Sequence, residues 1–243
     1  MFRGTTSIVC LLQLCSIAYT LPAEQQPILQ PFESVQFVRS ELKKAEIIPT
    51  VIDDFLPSLT VDITWSKKHA KLGNTIKPKH LQEQPAVALH DITPSSSSST
   101  TKHNLSYVVT LTDPDAPSRD DPKWSEMCHW IASNVTLSET LLSIPPLPDL
   151  HLLTNTASLD AQGPQDVIAY KPPGPPPKTG KHRYVFLVFA PKNGTSEPLH
   201  LSRPGDRQHW GTGRERGGVR DWAVKNGLVP VAANFLYAQN KKQ

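Results

Sequence analysis

The sequence predicts a mostly β domain with a few short peripheral helices. Three observations carry this. Short runs alternate apolar and polar residues, as half-buried strands do. The segments between them are rich in proline and glycine, 24 and 12 of the 243 residues. No strand–helix–strand unit recurs, so a mostly antiparallel sheet is expected rather than a parallel one.

The elements follow in order. Over residues 32–46, Val35, Val38, Leu42 and Ala45 recur at helical spacing, with Ser34 as a candidate N-cap, so a short amphipathic helix is expected before Pro49. Leu59–Trp65 (LTVDITW) alternates strictly and reads as a strand, followed by strands at Ala86–His90 and Tyr107–Thr112. The serine-rich stretch at about 94–102 has nothing to bury and reads as a solvated loop. Strands resume at His129–Val135 and Arg183–Ala190, separated by an irregular, proline-bearing stretch at about 137–167 that reads as a surface insertion. Val219–Lys225 reads as a helix stopped by Asn226-Gly227, and Pro230–Tyr237 as a last strand.

Residues 1–20 have the form of a secretory signal peptide: Arg3, an apolar run from Ser7 to Ala18, then small and turn-prone residues, with cleavage expected after Ala18 or Thr20. The run is too short for a stable span, so a soluble, secreted mature chain of residues 21–243 is expected, extracellular or held in the secretory pathway or vacuole, as a single domain. Its loss removes Arg3 and no acid, so the formal net charge falls from +3 to +2, and no dense basic stripe with interleaved aromatics marks a nucleic-acid partner. Cys10 and Cys15 leave with it, so Cys128 has no partner for an internal disulfide and stability must come from a core. Asn104, Asn134 and Asn193 head N-glycosylation sequons near predicted strand ends.

Three segments carry candidate chemistry. The first, Thr112-Asp113-Pro114-Asp115-Ala116-Pro117-Ser118-Arg119, leaves a strand end with two carboxylates on a loop stiffened by Pro114 and Pro117. By spacing alone it reads first as a capped turn in which Arg119 neutralises one acid. The second runs from Lys123 to Trp130 and sets His129 at a strand start; Cys128, adjacent to it, points to the opposite face and reads as a small buried hydrophobe. The third, from Pro175 to Tyr184, leads through Pro177 and Gly180 into a strand on which His182 and Tyr184 share one face and Arg183 takes the other. Imidazole, phenol and loop amides suit phosphate or carboxylate oxygens, while the aspartates can orient the histidines or receive a ligand's ammonium or hydroxyl.

In these three segments, DPDAPSR, Glu126-x-x-His129-Trp130 and GKHRYVFLVF (180–189), the chain resembles the phosphatidylethanolamine-binding protein family. Supporting similarity extends to Lys71–Thr75 and Val231–Phe235. The Lys-Trp-Ser-Glu-Met-Cys-His form and the tail GGVRDWAVKNGLVPVAANFLYAQ are most similar to the family's fungal branch, which includes inhibitors of serine carboxypeptidase Y. The resemblance implies a central antiparallel sheet, a smaller flanking sheet and one solvent-open, non-catalytic pocket for a phosphate-like anion or phospholipid headgroup. Carried over position by position, its residues are Asp113, Asp115, Pro117, His129, Pro177, His182 and Tyr184. It implies no cofactor; a serine carboxypeptidase is the alternative partner. Animal members commonly have a tryptophan where this chain has Met127, and a C-terminal helix for which the six residues after Tyr237 leave no room, so a more open, less aromatic pocket is expected.

Rival chemistries lack their sequence marks. Asp-x-Asp with two histidines suits a divalent metal, but no strict ligand cluster such as His-Glu-x-x-His accompanies it. A hydrolase using Asp113 or Asp115 as base and His129 or His182 as acid lacks a nucleophile elbow around Ser118 or Ser125. Gly211, Gly213, Gly217 and Gly218 precede no Walker lysine and read as turn glycines.

Overall fold

The computed structural model describes residues 31–92, 102, 105–137 and 164–242. Residues 1–20, read as a signal peptide, most of the serine stretch, Asn104 and positions 138–163 lie outside them. The described chain runs α1 (Pro31–Lys44), β1 (Leu59–Trp65), β2 (Lys68–His69), β3 (Asn74–Thr75), β4 (Ala86–Asp91), β5 (Tyr107–Asp113), β6 (Met127–Val135), β7 (Gln165–Ile168), β8 (Lys181–Pro191), α2 (Val219–Lys225) and β9 (Leu228–Gln239).

Six strands form the central sheet in the order β3-β9-β8-β5-β6-β7, antiparallel except for β3 beside β9; β2-β1-β4 form the smaller sheet. One face of the central sheet packs on the small sheet through Trp65, Leu111, Trp130, Tyr184 and Phe186. The other packs on α1, the turn after it and α2 through Leu42, Ile47, Val185, Phe189 and Trp222. Because both faces are covered, β5 is buried at every position and β8 at every position after Lys181, which is why VFLVF reads as continuously apolar. The carboxamide of Asn234 ties the two sheets: its nitrogen donates to the Val61 and Ala70 carbonyls at 3.1 and 3.3 Å, and its oxygen accepts from Leu72 N–H at 3.0 Å.

The predicted β1 and α2 match residue for residue, and the other predicted elements appear with ends moved by a few residues. Helix α1 begins at Pro31, which places Ser34 in its first turn rather than at the cap. Strand β7 was not predicted. It occupies the end of the stretch read as an irregular insertion and pairs with β6 through Ile168, Asp166 and Gln165. Cys128 is buried in the helix-side core, with burial pushing its thiol up to about 12. Asn193 is exposed just after β8, and Asn134 is half-buried with its side-chain oxygen accepting from Ser106.

Candidate functional site

Strand β5 delivers Asp113 at its last residue, β6 delivers His129 and β8 delivers His182 and Tyr184. Alternation along β8 turns His182 and Tyr184 toward the same face, and their rings stack at 6.4 Å with planes 16° apart. His129 meets the Tyr184 ring edge-on at 5.3 Å. Asp113 is the hub. Its carboxylate accepts from Asp115 N–H at 2.8 Å, from His182 Nδ1–H at 2.9 Å and from the Tyr184 hydroxyl. Burial first, then the Asp113 charge, raises the Tyr184 phenol well above its ordinary range, so it stays a neutral donor.

These four side chains are each no more than 4% exposed. The cause is the proline-rich segment 171–179, which hydrogen-bonds to three of them. His129 Nδ1–H donates to the Lys171 carbonyl at 2.7 Å, Gly174 N–H donates to the Tyr184 hydroxyl at 3.2 Å, and Thr179 Oγ1 lies 2.9 Å from His182 Nε2. Thr179 also lies 2.8 Å from the Pro176 carbonyl, and its single proton serves only one of the two acceptors.

The remaining ring atom, His129 Nε2, has no partner among the described residues. Burial outweighs the Asp113 charge and lowers the His129 pKa to about 4. At neutral pH His129 is therefore the Nδ1–H tautomer with a lone pair on Nε2.

The other residues named from sequence are not brought to this cluster. Asp115 faces the helix layer, where Arg183 Nη2 and Nε hold its two oxygens at 2.6 and 3.0 Å and Arg183 N–H adds a third bond at 2.7 Å. Arg119, read as the neutralising partner, pairs instead with Glu46. Pro117 is half-buried in the turn and Pro177 is exposed at the tip of the covering segment; neither offers a polar side-chain atom. Met127 is buried at the start of β6. Sequence reasoning missed Thr179 as a partner of His182, although a hydroxyl three residues before a strand histidine was visible. It also missed Lys171 and Gly174, which act through backbone atoms and carry no side-chain signal. Glu126, which sequence marks only as part of the Glu-x-x-His motif, is buried behind the loop, where it takes hydrogen bonds from the Thr112 hydroxyl and Val219 N–H. Among the described residues no group of three or more His, Cys, Asp or Glu side chains is placed to hold a metal ion.

Comparison with known proteins adds four findings. Residues 66–236 match the family model described as phosphatidylethanolamine-binding protein. The carboxypeptidase Y inhibitor of Saccharomyces cerevisiae is 29% identical over 222 residues, covering 86% of this chain and 99% of that one. Among solved structures, the carboxypeptidase Y inhibitor complexed with its cognate proteinase aligns with a TM-score of 0.67 at 28% identity, over 85% of this chain and 97% of that one. The Plasmodium vivax phosphatidylethanolamine-binding protein shares the fold at a TM-score of 0.59 and 18% identity, over 83% of this chain and 97% of that one.

Proposed function

The chain belongs to the phosphatidylethanolamine-binding protein family, and from that premise we propose that it binds a small phosphate ester, such as a phospholipid headgroup, at the Asp113–His129–His182–Tyr184 cluster without turning it over. The observation that carries this is the state of His129. The other ring nitrogens and the phenol are committed to protein partners, while His129 Nε2 is not. A neutral Nε2 beside the Asp113 carboxylate accepts protons rather than donating them, so the fitting ligand is not a bare dianion. It is a phosphate that keeps a hydroxyl, or an ester carrying an ammonium group.

Anion binding raises the His129 pKa from about 4, because the bound charge favours imidazolium. Binding therefore takes up a proton, and phosphate binds more tightly at about pH 5 than at about pH 7.5. Titrating inorganic phosphate and glycerophosphoethanolamine while following the His129 ring by NMR checks this. A His129 shift with either ligand at millimolar concentration, larger for phosphate at the lower pH, is the expected result; no His129 shift with either ligand rules the site out.

A second reading is inhibition of a serine carboxypeptidase through a protein surface. It is favoured by the similarity to the yeast carboxypeptidase Y inhibitor, which runs along 86% of this chain. The check is peptide hydrolysis by carboxypeptidase Y mixed with the mature chain: inhibition at micromolar protein is expected, and unchanged turnover excludes that enzyme as a target. Either role fits the secretory route that the N-terminal leader implies. No helix of the described residues is long and apolar enough to cross a membrane. On this reading Asn193, exposed beyond β8, is the more accessible of the two described sequons.

A further inference from the structure

At the far edge of the small sheet, the β1–β2 turn, β3 and the one-turn helix Pro78–His80 bring five lysines together: Lys67, Lys68, Lys71, Lys77 and Lys79, all exposed. They line two adjoining cavities of about 390 and 680 Å³ that share Lys67, Lys68 and His80. One acid, Glu83, lines the second cavity. Among the described residues the ion-paired lysines are Lys43, Lys44, Lys102 and Lys123, so none of the five is neutralised. In a chain whose whole net charge is +3, this is a local concentration of uncompensated charge.

The charges converge on a shaped surface. After burial, the charges of Lys79, Lys68 and Lys77 are what depress the His80 imidazole. The backbone beneath is tied to β9: Gly73 N–H donates to the Phe235 carbonyl and Ile76 N–H to the Tyr237 carbonyl, each at 2.9 Å. Gly73 has a φ of +106°, and a Cβ there would come within 3.0 Å of the Phe235 ring, so a glycine permits this close approach.

We propose that this groove is a second binding site, distinct from the Asp113 cluster, for a polyphosphorylated anion that spans both cavities. Lysines present point charges suited to phosphate oxygens, and five of them spread over two cavities match several phosphates rather than one. A nucleic acid fits less well, because bases need an aromatic platform. Trp65, the aromatic residue lining the groove, is buried, with its Nε1–H donated to the Glu83 carbonyl. The phosphates have two possible sources, a soluble phosphate chain or a phosphoinositide headgroup.

The test uses the full mature chain. Calorimetric titration with tripolyphosphate covers the soluble source, and co-sedimentation with phosphatidylcholine vesicles, with and without phosphatidylinositol bisphosphate, covers the lipid source. Binding in either arm should weaken with added salt and fall about tenfold or more in Lys68→Glu/Lys77→Glu, as counterion release predicts for lost phosphate contacts. The His80 ring resonance should move with tripolyphosphate. A Lys68→Gln/Lys77→Gln variant of wild-type melting temperature separates lost binding from lost folding. Binding in neither arm, undiminished binding in a folded variant, or tighter binding of a single-stranded oligonucleotide than of tripolyphosphate overturns the proposal.

Discussion

Replacing Asp115 by Asn lowers the free energy of unfolding by about 3–5 kcal/mol, the cost of leaving one partner of a buried ion pair uncompensated. Asp115 and Arg183 are 1% and 6% exposed, so solvent does little to screen what remains. Arg183 joins three elements. Its Nη2 and Nε clamp Asp115, its backbone N–H adds a third bond to the same carboxylate, and its Nη1 donates to the Ala45 and Glu46 carbonyls just past the end of α1, at 2.9 and 3.0 Å. With the carboxylate neutralised, the guanidinium stays buried and charged among carbonyls that cannot balance it. Arg183→Met costs a similar amount by stranding the carboxylate. Asp115→Asn/Arg183→Met, which strands no charge, costs less than the two single losses added together. Urea unfolding measures all three; a single-variant loss below about 1 kcal/mol would contradict this account. Because Asp115 N–H also holds Asp113 Oδ1, the single variant should loosen the His182–Asp113 contact as well.

This pair also marks where the sequence was legible and where it was not. Alternation along β8 placed Arg183 opposite His182 and Tyr184, and that holds. The error lay in sending both aspartates to one rim. Strand β5 ends at Asp113, and the chain turns so that Asp113 Oδ1 caps Asp115 N–H, which swings the second carboxylate to the helix layer. A buried arginine on that layer requires a carboxylate, so the pairing could have been inferred. The burial of the cluster could not. It depends on the Lys171 carbonyl and the Gly174 N–H, and backbone atoms carry no residue signature. Strand β7 escaped for a similar reason: four residues at a sheet edge are too few for alternation to show. The lysine groove was hidden by averaging, since a net charge of +3 says nothing about five lysines that β2, β3 and a single helical turn gather at one edge.

The other large effect concerns Glu126, whose neutralisation by Glu126→Gln should remove a pH dependence from stability. Burial pushes this carboxyl from an ordinary 4.5 up to about 8, against weaker opposing contributions from the Thr112 hydroxyl, Val219 N–H and the Arg220 charge. Thr112 donates to Oε2 at 3.0 Å and Val219 N–H at 3.3 Å. Space is equally tight: a Cβ on Gly218 would fall 2.2 Å from the carboxyl carbon. The folded state thus holds a proton that the unfolded chain releases near 4.5. The stabilisation is complete below that pH, falls as pH rises toward about 8 and is flat above it. His129 works in the opposite sense, since its folded pKa of about 4 lies below the ordinary 6.5 and its contribution is lost as pH falls between those values. The two overlap from about pH 4.5 to 6.5 and separate above it, where the Glu126 slope remains at about 1.4 kcal/mol per pH unit at most. Between about pH 6.5 and 8 the native protein should therefore lose on the order of 2 kcal/mol that Glu126→Gln does not lose. The amide keeps the same shape and one oxygen to accept from Thr112 and Val219. Urea unfolding of both proteins across that window decides the matter, and parallel slopes would mean that Glu126 is already ionised in the fold.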